Sequence, residues 1–557
     1  DVCSSDLGAE KLEMVVGASG AQIYEMCGET FDLTPRQIAN HLFFGGVGYI
    51  QPNPEHAEEI AQANPETVLY QNGRITYRPL AFTATHQIQT GAPVLQALVS
   101  RYKCPLANLI LSRKKAEKAR VSVFGNAYQL ATMFGDNHLH GGYNLTGTAT
   151  DRLSSSSGVR KIGFNWQNVP KGLLGALRDT RGRLALDANG VPIFDGVNCK
   201  KLIIPDDPSM CFGNADAKGA EVTVFGTYAA AFPGGEALVN ALIDGLDPHC
   251  FFGSQALNPQ SVGAGLQGED RRLALERAGI DDDHPWSYDD FFSREAYKKK
   301  GVGKGSFDDP KTWETPSLVR YALRLDALRD NIKRLVFGIL FGAGITKIAE
   351  IAGISLELAQ KIRDLLFSKF PSIPTYMDHT KWEVRQFGLV ETFHGGRRRC
   401  PMDVTKIPKG LLARFERQGI NVKIQRTNSD IVLCVLCWIA EVLERDMGGR
   451  VLLTVHDSIG FQVPKKYAHQ IPDLFLELGT KRVAKEFPWL KSPYRWDVAL
   501  GPSYGEYQKA KEYIAELPPP VPEASLDGYT EEEIEYNLIN HEEFDLTRET
   551  SQDLTIG

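Results

Sequence analysis

The pattern of apolar and polar positions near the C-terminal end of the chain predicts a β-hairpin. Residues 451–455 form the apolar run VLLTV, and after His456 and Asp457 apolar residues alternate with small or polar ones from Ile459 to Val463. An apolar run and an alternating run separated by two polar residues indicate two strands joined by a tight turn. We therefore expect Asp457 at the tip of this turn.

A second pattern predicts two short strands followed by a helix. Residues 201–205 and the sequence CFGNAD at 211–216 have the composition of short strands, and AEVTVFGTYAAAF at 220–232 favours a helix. Asp216 then lies near a strand-to-helix junction. Taken alone, either aspartate is more simply interpreted as a turn or helix-capping residue.

A third pattern places two cations and two aromatic rings on one face of a predicted helix, because these four residues are spaced by four. They are Arg329, Lys333, Phe337 and Phe341. The apolar residues of the same segment fall largely on other faces: Leu328, Ile332, Leu335, Val336, Ile339 and Leu340. The cationic half is suited to binding a triphosphate and the aromatic half to stacking on a base and sugar. A solvated basic stripe is the simpler alternative, but it does not explain the aromatic residues.

Together these segments suit metal-assisted transfer of a nucleotidyl group. Attack of a 3′-hydroxyl on a triphosphate needs an activated oxygen and a neutralised leaving group, which two divalent ions about 3.5–4 Å apart can supply. Mg²⁺ prefers oxygen ligands, and one or two carboxylates plus substrate phosphates are enough to hold it. We therefore expect Asp216 and Asp457 to bind two Mg²⁺ ions, with Mn²⁺ as a substitute.

Seven motifs in a fixed order resemble the family A DNA polymerases, the DNA polymerase I family, and especially its phage replicative members. Residues 329–342 match the fingers-helix pattern of that family, 216–221 its first palm motif and 455–458 its last. The remaining similar segments are GTATDRLSS (147–155) with NWQNVP (165–170), DPH (247–249), GLVETFHGGRRRCP (388–401), and Arg417, Asn421 and Gln425. The collinear similarity extends from about residue 140 to residue 507.

The resemblance implies a role for each matching residue. Asp216 and Asp457 bind the metal ions, and Glu221 is a steric gate against a ribose 2′-hydroxyl. The residues that bind the incoming nucleotide are Arg329, Lys333, Phe337, Phe341 and His249. The residues that contact primer and template are Arg152, Gln167, Asn168, Arg417, Asn421, Gln425 and His456. A Phe rather than a Tyr at position 337 implies discrimination against dideoxynucleotides.

The resemblance also implies an α+β fold with the right-hand architecture of a polymerase: a thumb, a palm with an antiparallel sheet, and helical fingers. The expected ranges are 1–145 for an N-terminal segment and thumb, 146–235 for the first part of the palm, 236–399 for fingers with an insertion at about 255–328, 400–512 for the second part of the palm, and 513–557 for an acidic disordered tail. We recognise no exonuclease domain in the chain.

Several positions depart from the family pattern. Ser458 stands where a third carboxylate is usual, Thr223 replaces an Arg, Asp151 replaces a Gly, and Phe341 replaces a Tyr. None of these changes removes an expected metal ligand.

Charge and cysteine content are compatible with this interpretation. The chain has a net charge of −7, but residues from Glu516 onward hold 12 acidic and 1 basic residues, so residues 1–515 carry −7 + 11 = +4. Nine scattered cysteines indicate a reducing compartment, and the apolar sequence around Cys434 and Cys437 favours core packing over zinc binding.

We expect a cytoplasmic monomer without membrane association, in a host cell if the gene is a phage gene. Its expected partners are primer-template DNA, dNTPs, and a processivity factor or replisome partner bound by the insertion or the tail.

Two other functions stay open. A single-subunit RNA polymerase shares the palm chemistry, but the Lys333–Phe337 spacing and Glu221 favour DNA synthesis. A noncatalytic DNA-binding replication accessory would have no need of both Asp216 and Asp457.

Overall fold

The computed structural model describes residues 2–517, apart from 31, 84, 135–137, 146, 149, 151, 157–162, 171–172, 175–196, 248, 252–253, 255–266, 269–270, 273–286, 305–311, 353–355 and 401–402. Residues 518–557 of the predicted tail, nearly half of the predicted insertion, and Asp151 lie outside the described residues. Residues 513–516, predicted as the start of the tail, are helical. Among the described helices, none is both long and apolar enough to cross a membrane.

The N-terminal region contains six helices and a small sheet. Its elements are α1 (Val2–Cys27), α2 (Pro35–Leu42), β1 (Tyr49–Ile50), α3 (Pro54–Ala63), β2 (Val68–Gln71), β3 (Arg74–Tyr77), α4 (Ala92–Tyr102), α5 (Pro105–Ala119), a π-helical turn (Arg120–Gly125) and α6 (Asn126–Phe134). Helices α1 and α5 pack against each other, and the antiparallel sheet, of order β1-β3-β2, shares an apolar core with parts of both helices. Thr34 caps α2 by accepting a hydrogen bond from the Gln37 amide.

The next elements lead into the palm. They are β4 (Gly142–Asn144), β5 (Ser154–Ser156), a 3₁₀ turn (Trp166–Asn168), β6 (Leu173–Leu174), β7 (Val197–Asn198), a 3₁₀ turn (Cys199–Leu202), β8 (Met210–Lys218), α7 (Ala220–Ala229) and α8 (Gly235–Ile243). The strand predicted at 201–205 is wrong, because the chain there begins in a 3₁₀ turn. The Asn198 side chain accepts from the Lys200 amide at 3.2 Å, a local hydrogen bond that competes with strand pairing.

The described residues of the segment predicted to form the fingers are mostly helical. Their elements are α9 (Tyr288–Val302), α10 (Pro316–Leu340), α11 (Ile345–Ala352), α12 (Leu356–Lys369), α13 (Ser372–Phe387), β9 (Leu389–Glu391) and β10 (Arg397–Arg399). Helix α10 begins at Pro316, so the last part of the predicted insertion, residues 316–328, forms the first turns of the fingers helix. Helix α9 packs against α10, and Arg294 donates to Asp326 at 2.7 Å.

The palm is completed by the C-terminal elements. They are α14 (Lys409–Asp446), β11 (Arg450–Val455), β12 (Ser458–Pro464), a 3₁₀ turn (Lys465–Gln470), α15 (Ile471–Leu474), a π-helical turn (Phe475–Arg482), α16 (Val483–Glu486), β13 (Arg495–Ser503), β14 (Glu506–Lys509) and α17 (Ala510–Glu516). The palm sheet has the order β11-β12-β8-β13-β14, and every neighbouring pair is antiparallel. The strand that carries Asp216, β8, therefore pairs with β12, which begins directly after the turn that holds Asp457.

The centre of the palm sheet is packed around a glycine. Gly213 on β8 lies opposite Phe461 on β12, and a Cβ at position 213 would come within 2.1 Å of the Phe461 ring. Phe461 itself is fully buried. The absence of a side chain at Gly213 thus allows a large apolar ring to cover the central strand.

A row of four aromatic rings joins fingers and palm. Tyr376 of α13 stacks on Tyr228 of α7 with ring centroids 5.6 Å apart, Tyr228 stacks on Phe393 at 4.3 Å, and Phe393 stacks on Trp489 at 4.6 Å. The Tyr228 hydroxyl also accepts from the Phe393 amide at 3.2 Å. We call these four residues the aromatic row.

Candidate active site

Asp457 lies in the predicted hairpin turn. The two strands pair from Arg450 opposite Gln462 to Val455 opposite Ser458, and His456 has the left-handed φ of 58° that a tight turn requires. The Asp457 carbonyl accepts from the Ala217 amide at 3.0 Å. This hydrogen bond ties the turn to β8, and the predicted position of Asp457 is confirmed.

Asp216 lies on β8, in register with Ser458 on one side and Asp497 on the other. Residues directly opposite in an antiparallel sheet place their side chains on the same face. Asp216 and Asp497 therefore share a face, and Asp216 is exposed. The Ser458 hydroxyl donates to the Val455 carbonyl at 2.9 Å, which closes the hairpin.

Arg152 connects the predicted gate to the predicted catalytic carboxylate. Its Nη2 forms an ion pair with Glu221 Oε1 and lies 3.3 Å from Asp457 Oδ1. Burial raises the pKa of Glu221 in spite of the Arg152 charge, which lowers it, and Asp457 adds to the increase. The guanidinium thus neutralises part of the negative charge of two carboxylates, Glu221 and Asp457.

Gln167 supports the segment that carries Arg152. Its Nε2 donates to the Leu153 carbonyl at 2.9 Å, and its Oε1 accepts from the Ser155 amide at 3.0 Å. Both polar ends of the Gln167 amide are therefore used within the protein. Asn168, one residue further along, is exposed.

The predicted nucleotide-binding residues of the fingers form one group. Arg329 donates to Asp247 Oδ2 at 2.6 Å, the His249 ring centroid is 5.4 Å from that of Phe337, and Phe337 stacks on Phe341 at 5.8 Å. Lys333 is exposed, with its ammonium 6.0 Å from the Phe337 centroid. The structure therefore brings together the cations and aromatic rings predicted from their spacing.

The charges in this group depend strongly on burial. Burial would raise the pKa of Asp247, but its hydrogen bond and charge interaction with Arg329 outweigh this effect and lower the pKa. Burial lowers the pKa of His249 to about 4, helped by Arg329 and Lys333 and opposed by Asp247. His249 is consequently neutral near pH 7, whereas Asp247 is ionised.

The third predicted group lies along α14. Arg417 is exposed, and Asn421 and Gln425 are half-buried. Sequence reasoning missed Asn428, three residues beyond Gln425, which donates to Asp457 Oδ1 at 2.9 Å. It also missed Asp247 as the partner of Arg329, and Asp497. In the sequence, the DPH motif at 247–249 could have indicated Asp247, and the strand-like alternation after Arg495 could have indicated Asp497. Nothing in the sequence indicated Asn428.

Asp216 and Asp457 provide the hard oxygen donors that Mg²⁺ prefers. Over the described part of the chain, no group of three or more His, Cys, Asp or Glu side chains is arranged as a metal site. Two carboxylates are nevertheless sufficient where substrate phosphates and water complete the coordination. The residues present therefore fit a substrate-dependent Mg²⁺ site.

Comparison with known proteins defines the fold. The structure resembles the POL domain of Pol1 from M. smegmatis, solved in complex with DNA primer-template and dNTP, with a TM-score of 0.59 and 19% sequence identity. The match covers 91% of this chain and 67% of that one. The fold is thus the right-hand α+β fold of a polymerase domain, as predicted.

The sequence comparisons indicate the family. Residues 322–506 match the model of DNA polymerase family A. The chain is 23% identical over 486 residues to DNA polymerase I of Chloroflexus aurantiacus, covering 87% of this chain and 38% of that protein. It is 31% identical over 151 residues to the thermostable DNA polymerase I of Thermus aquaticus, covering 27% of this chain and 18% of that protein. The chain is therefore similar in sequence to family A DNA polymerases, and it spans less than two fifths of the length of these relatives.

Proposed function

We propose that this chain carries out template-directed DNA synthesis, adding a dNMP to a primer 3′-hydroxyl with release of pyrophosphate. The observation that carries the proposal is that the turn holding Asp457 is hydrogen-bonded to β8, the strand that carries Asp216. Arg152 and Glu221 lie beside them. The resemblance to phage replicative polymerases favours a role in phage DNA replication, in the host cytoplasm.

The carboxylates of Asp216 and Asp457 would hold two Mg²⁺ ions, or Mn²⁺ in their place. When bound, these ions supply activation of the 3′-hydroxyl and neutralisation of the leaving pyrophosphate. Arg329 and Lys333 attract the triphosphate, and Phe337 packs against the sugar and base. Asp247 fixes the direction of the Arg329 guanidinium, because a charge-assisted hydrogen bond of 2.6 Å restrains it.

Arg152 has two states in this proposal. Without substrate its guanidinium neutralises Glu221 and Asp457, and with DNA bound it turns to the primer terminus. The exchange frees Asp457 for metal binding. Neutral His249 then offers a ring N–H to the triphosphate without adding a charge.

The test is extension of a labelled primer on a DNA template with Mg²⁺, comparing dNTPs with NTPs. We expect long products from dNTPs, and complete loss of extension in Asp457→Asn. Asp473→Asn is the matched control, because Asp473 is exposed on α15, away from the palm sheet strands.

Two results would contradict the proposal. Products from NTPs alone would indicate an RNA polymerase. A wild-type protein that shifts primer-template in a binding assay but extends no primer with any nucleotide would be a DNA-binding accessory.

A further inference from the structure

A buried pair of polar side chains stands behind Asp457. Asn428 on α14 is fully buried, and Tyr494, just before β13, is 1% exposed. The Tyr494 hydroxyl donates to Asn428 Oδ1 at 2.6 Å, and Asn428 Nδ2 donates to Asp457 Oδ1 at 2.9 Å. A continuous hydrogen-bonded chain thus runs from the palm core to the carboxylate.

The direction of this chain is fixed by the chemistry of its ends. An ionised carboxylate only accepts hydrogen bonds, so the Asn428 amide must turn its nitrogen towards Asp457. Its oxygen then faces Tyr494, whose hydroxyl donates. The flipped amide would place two oxygens against each other and leave a buried group unsatisfied, which costs about 1–3 kcal/mol in general. The carboxylate thus sets the amide orientation, and the Tyr494 hydroxyl, which can donate or accept, holds the amide in it by donating to Asn428 Oδ1.

Asp457 Oδ1 accepts from two donors, Asn428 and Arg152, whose surroundings differ. Arg152 is shared with Glu221 and is the residue expected to turn towards the primer. Asn428 is enclosed in the core and has no comparable alternative partner among the described residues. When Arg152 leaves, Asn428 is the donor that remains on Oδ1.

The position of Asn428 on its helix gives it a further connection. It follows Asn421 by seven residues and Gln425 by three, so all three share one face of α14. The face predicted to follow the primer minor groove thus ends at the side chain that holds Asp457. Helix α14 thereby links the position of the duplex to the position of the carboxylate.

We propose that Asn428 and Tyr494 are positioning residues that hold Asp457 Oδ1, so that Oδ2 is directed to the catalytic cation. This inference rests on the proposed polymerase function. Groups that orient a metal ligand without touching the metal commonly change affinity or activity by about 10- to 100-fold when removed. A buried polar pair that merely stabilises the core would lower stability and leave metal affinity unchanged.

The experiment compares the wild-type protein with Asn428→Ala, Tyr494→Phe and the double variant. Mn²⁺ binding is measured by electron paramagnetic resonance with matching dNTP and a primer-template whose primer ends in a dideoxynucleotide, so that no turnover occurs. The Mg²⁺ concentration for half-maximal extension is measured separately from the maximal rate. Tyr49→Phe is the matched control, because the Tyr49 hydroxyl is also buried and bonds to Tyr77 at 2.9 Å, outside the palm.

We expect about 10-fold weaker Mn²⁺ binding in Asn428→Ala and a smaller loss in Tyr494→Phe. Because Tyr494 acts through Asn428, the double variant should bind Mn²⁺ as Asn428→Ala does. Tyr49→Phe should lower the melting temperature only. Tyr494→Phe, which removes a single oxygen, keeps the test valid if Asn428→Ala does not fold.

Unchanged Mn²⁺ affinity in folded variants of a wild-type protein that extends primers would overturn this inference alone. Additive losses in the double variant would also overturn it. A wild-type protein that neither extends primers nor binds Mn²⁺ would instead refute the proposed function.

Discussion

Glu221 and Asp216 are both acidic residues of the candidate site, but their surroundings differ. The Glu221 side chain is 14% exposed and paired with Arg152, whereas Asp216 is exposed. A confined carboxylate held by a guanidinium has the fixed volume that a steric gate needs, and an exposed one is accessible to a cation. The two environments support the separate roles proposed for them.

Replacing Glu221 by Ala should relax the choice of sugar. The space released would admit a 2′-hydroxyl, and differences of this size in a binding site change selectivity by about 10- to 200-fold. The measurement is the ratio of kcat/KM for dNTP and NTP in single-nucleotide insertion. Glu236→Ala, at an exposed glutamate of α8, should leave the ratio unchanged. An unaltered ratio in Glu221→Ala would exclude Glu221 as the gate.

His249 should make the protein less stable in mild acid. Its pKa is about 4 in the folded state, against about 6.5 unfolded, so between these values only the unfolded chain binds the proton. The stabilisation is fully present above pH 6.5 and is lost as pH falls towards 4. From pH 7 to pH 5 the loss is about 2 kcal/mol.

Urea unfolding of wild type and His249→Gln at pH 7 and pH 5 measures this effect. We expect the variant to lose about 2 kcal/mol less than wild type over this interval. His469→Gln provides the control, since His469 is exposed. Parallel losses in wild type and His249→Gln would show that another group is responsible.

At the level of single residues, spacing predicted the positions that follow a helical or strand period. Arg329, Lys333 and Phe337 were found by their four-residue repeat, and the structure groups them. Asn428 and Asp247 were not found, because the role of a buried polar residue becomes clear only when its hydrogen-bond partner is known. Those partners, Asp457 and Arg329, are distant in sequence.

Among the secondary structure elements, β8 has no room for a larger side chain at its centre. It is the central strand of the palm sheet and carries Asp216, and Phe461 packs directly on Gly213. Gly213→Ala places a methyl group 2.1 Å from ring carbon, so the ring or the strand must move. Overpacking of this kind costs about 1–3 kcal/mol.

We therefore expect Gly213→Ala to lower the free energy of unfolding and to reduce extension, because β8 carries Asp216. Chemical denaturation and primer extension measure the two effects. Gly17→Ala is an informative control, since Gly17 is exposed in α1 with no atom within 4 Å of the added carbon. It should stabilise the protein by up to about 1 kcal/mol. Equal stabilities of the two variants would contradict the packing described for β8.

The hairpin of β11 and β12 was predictable because both strands and the turn have strong local signals. The strand expected at 201–205 was wrong because a side-chain cap at Asn198 formed a 3₁₀ turn instead. The start of α10 at Pro316 was also missed, because residues 316–328 were predicted to belong to an insertion and not to the fingers helix. Local hydrogen bonds and the ends of helices depend on contacts that cannot be read from the spacing of apolar residues in the sequence.

For the whole molecule, the ordered motifs predicted the polymerase fold, and the order of strands in the palm sheet explains how distant motifs come together. Segments around residues 216 and 457 are far apart in sequence, yet antiparallel pairing of β8 and β12 makes them neighbours. The order of strands in a sheet is a non-local property: the resemblance implied an antiparallel palm sheet, and the structure shows the order of its strands. The predicted domain ranges stay predictions.

The acidic C-terminal segment should weaken DNA binding. Residues 518–557 hold 11 acidic and 1 basic residues, so a chain ending at Leu517 carries −7 + 10 = +3. Removing like charge should tighten primer-template binding at low salt, and the gain should fall as salt screens the charges. Fluorescence anisotropy at several salt concentrations measures both. A tail of equal length with Ser for each acidic residue should match the truncation, and affinity equal to wild type at low salt would contradict the electrostatic effect.

The aromatic row gives the molecule an optical property. Trp489 is stacked at the palm end of the row, and through Phe393 and Tyr228 it is in contact with Tyr376 of the fingers. The fluorescence of an indole depends on the rings and the water around it. A displacement of the β9–β10 hairpin, which carries Phe393, therefore changes the fluorescence of Trp489. Because the chain has seven tryptophans, the Trp489 signal is the difference between the emission of the wild-type protein and that of Trp489→Phe, and this difference reports the position of the hairpin without an attached dye.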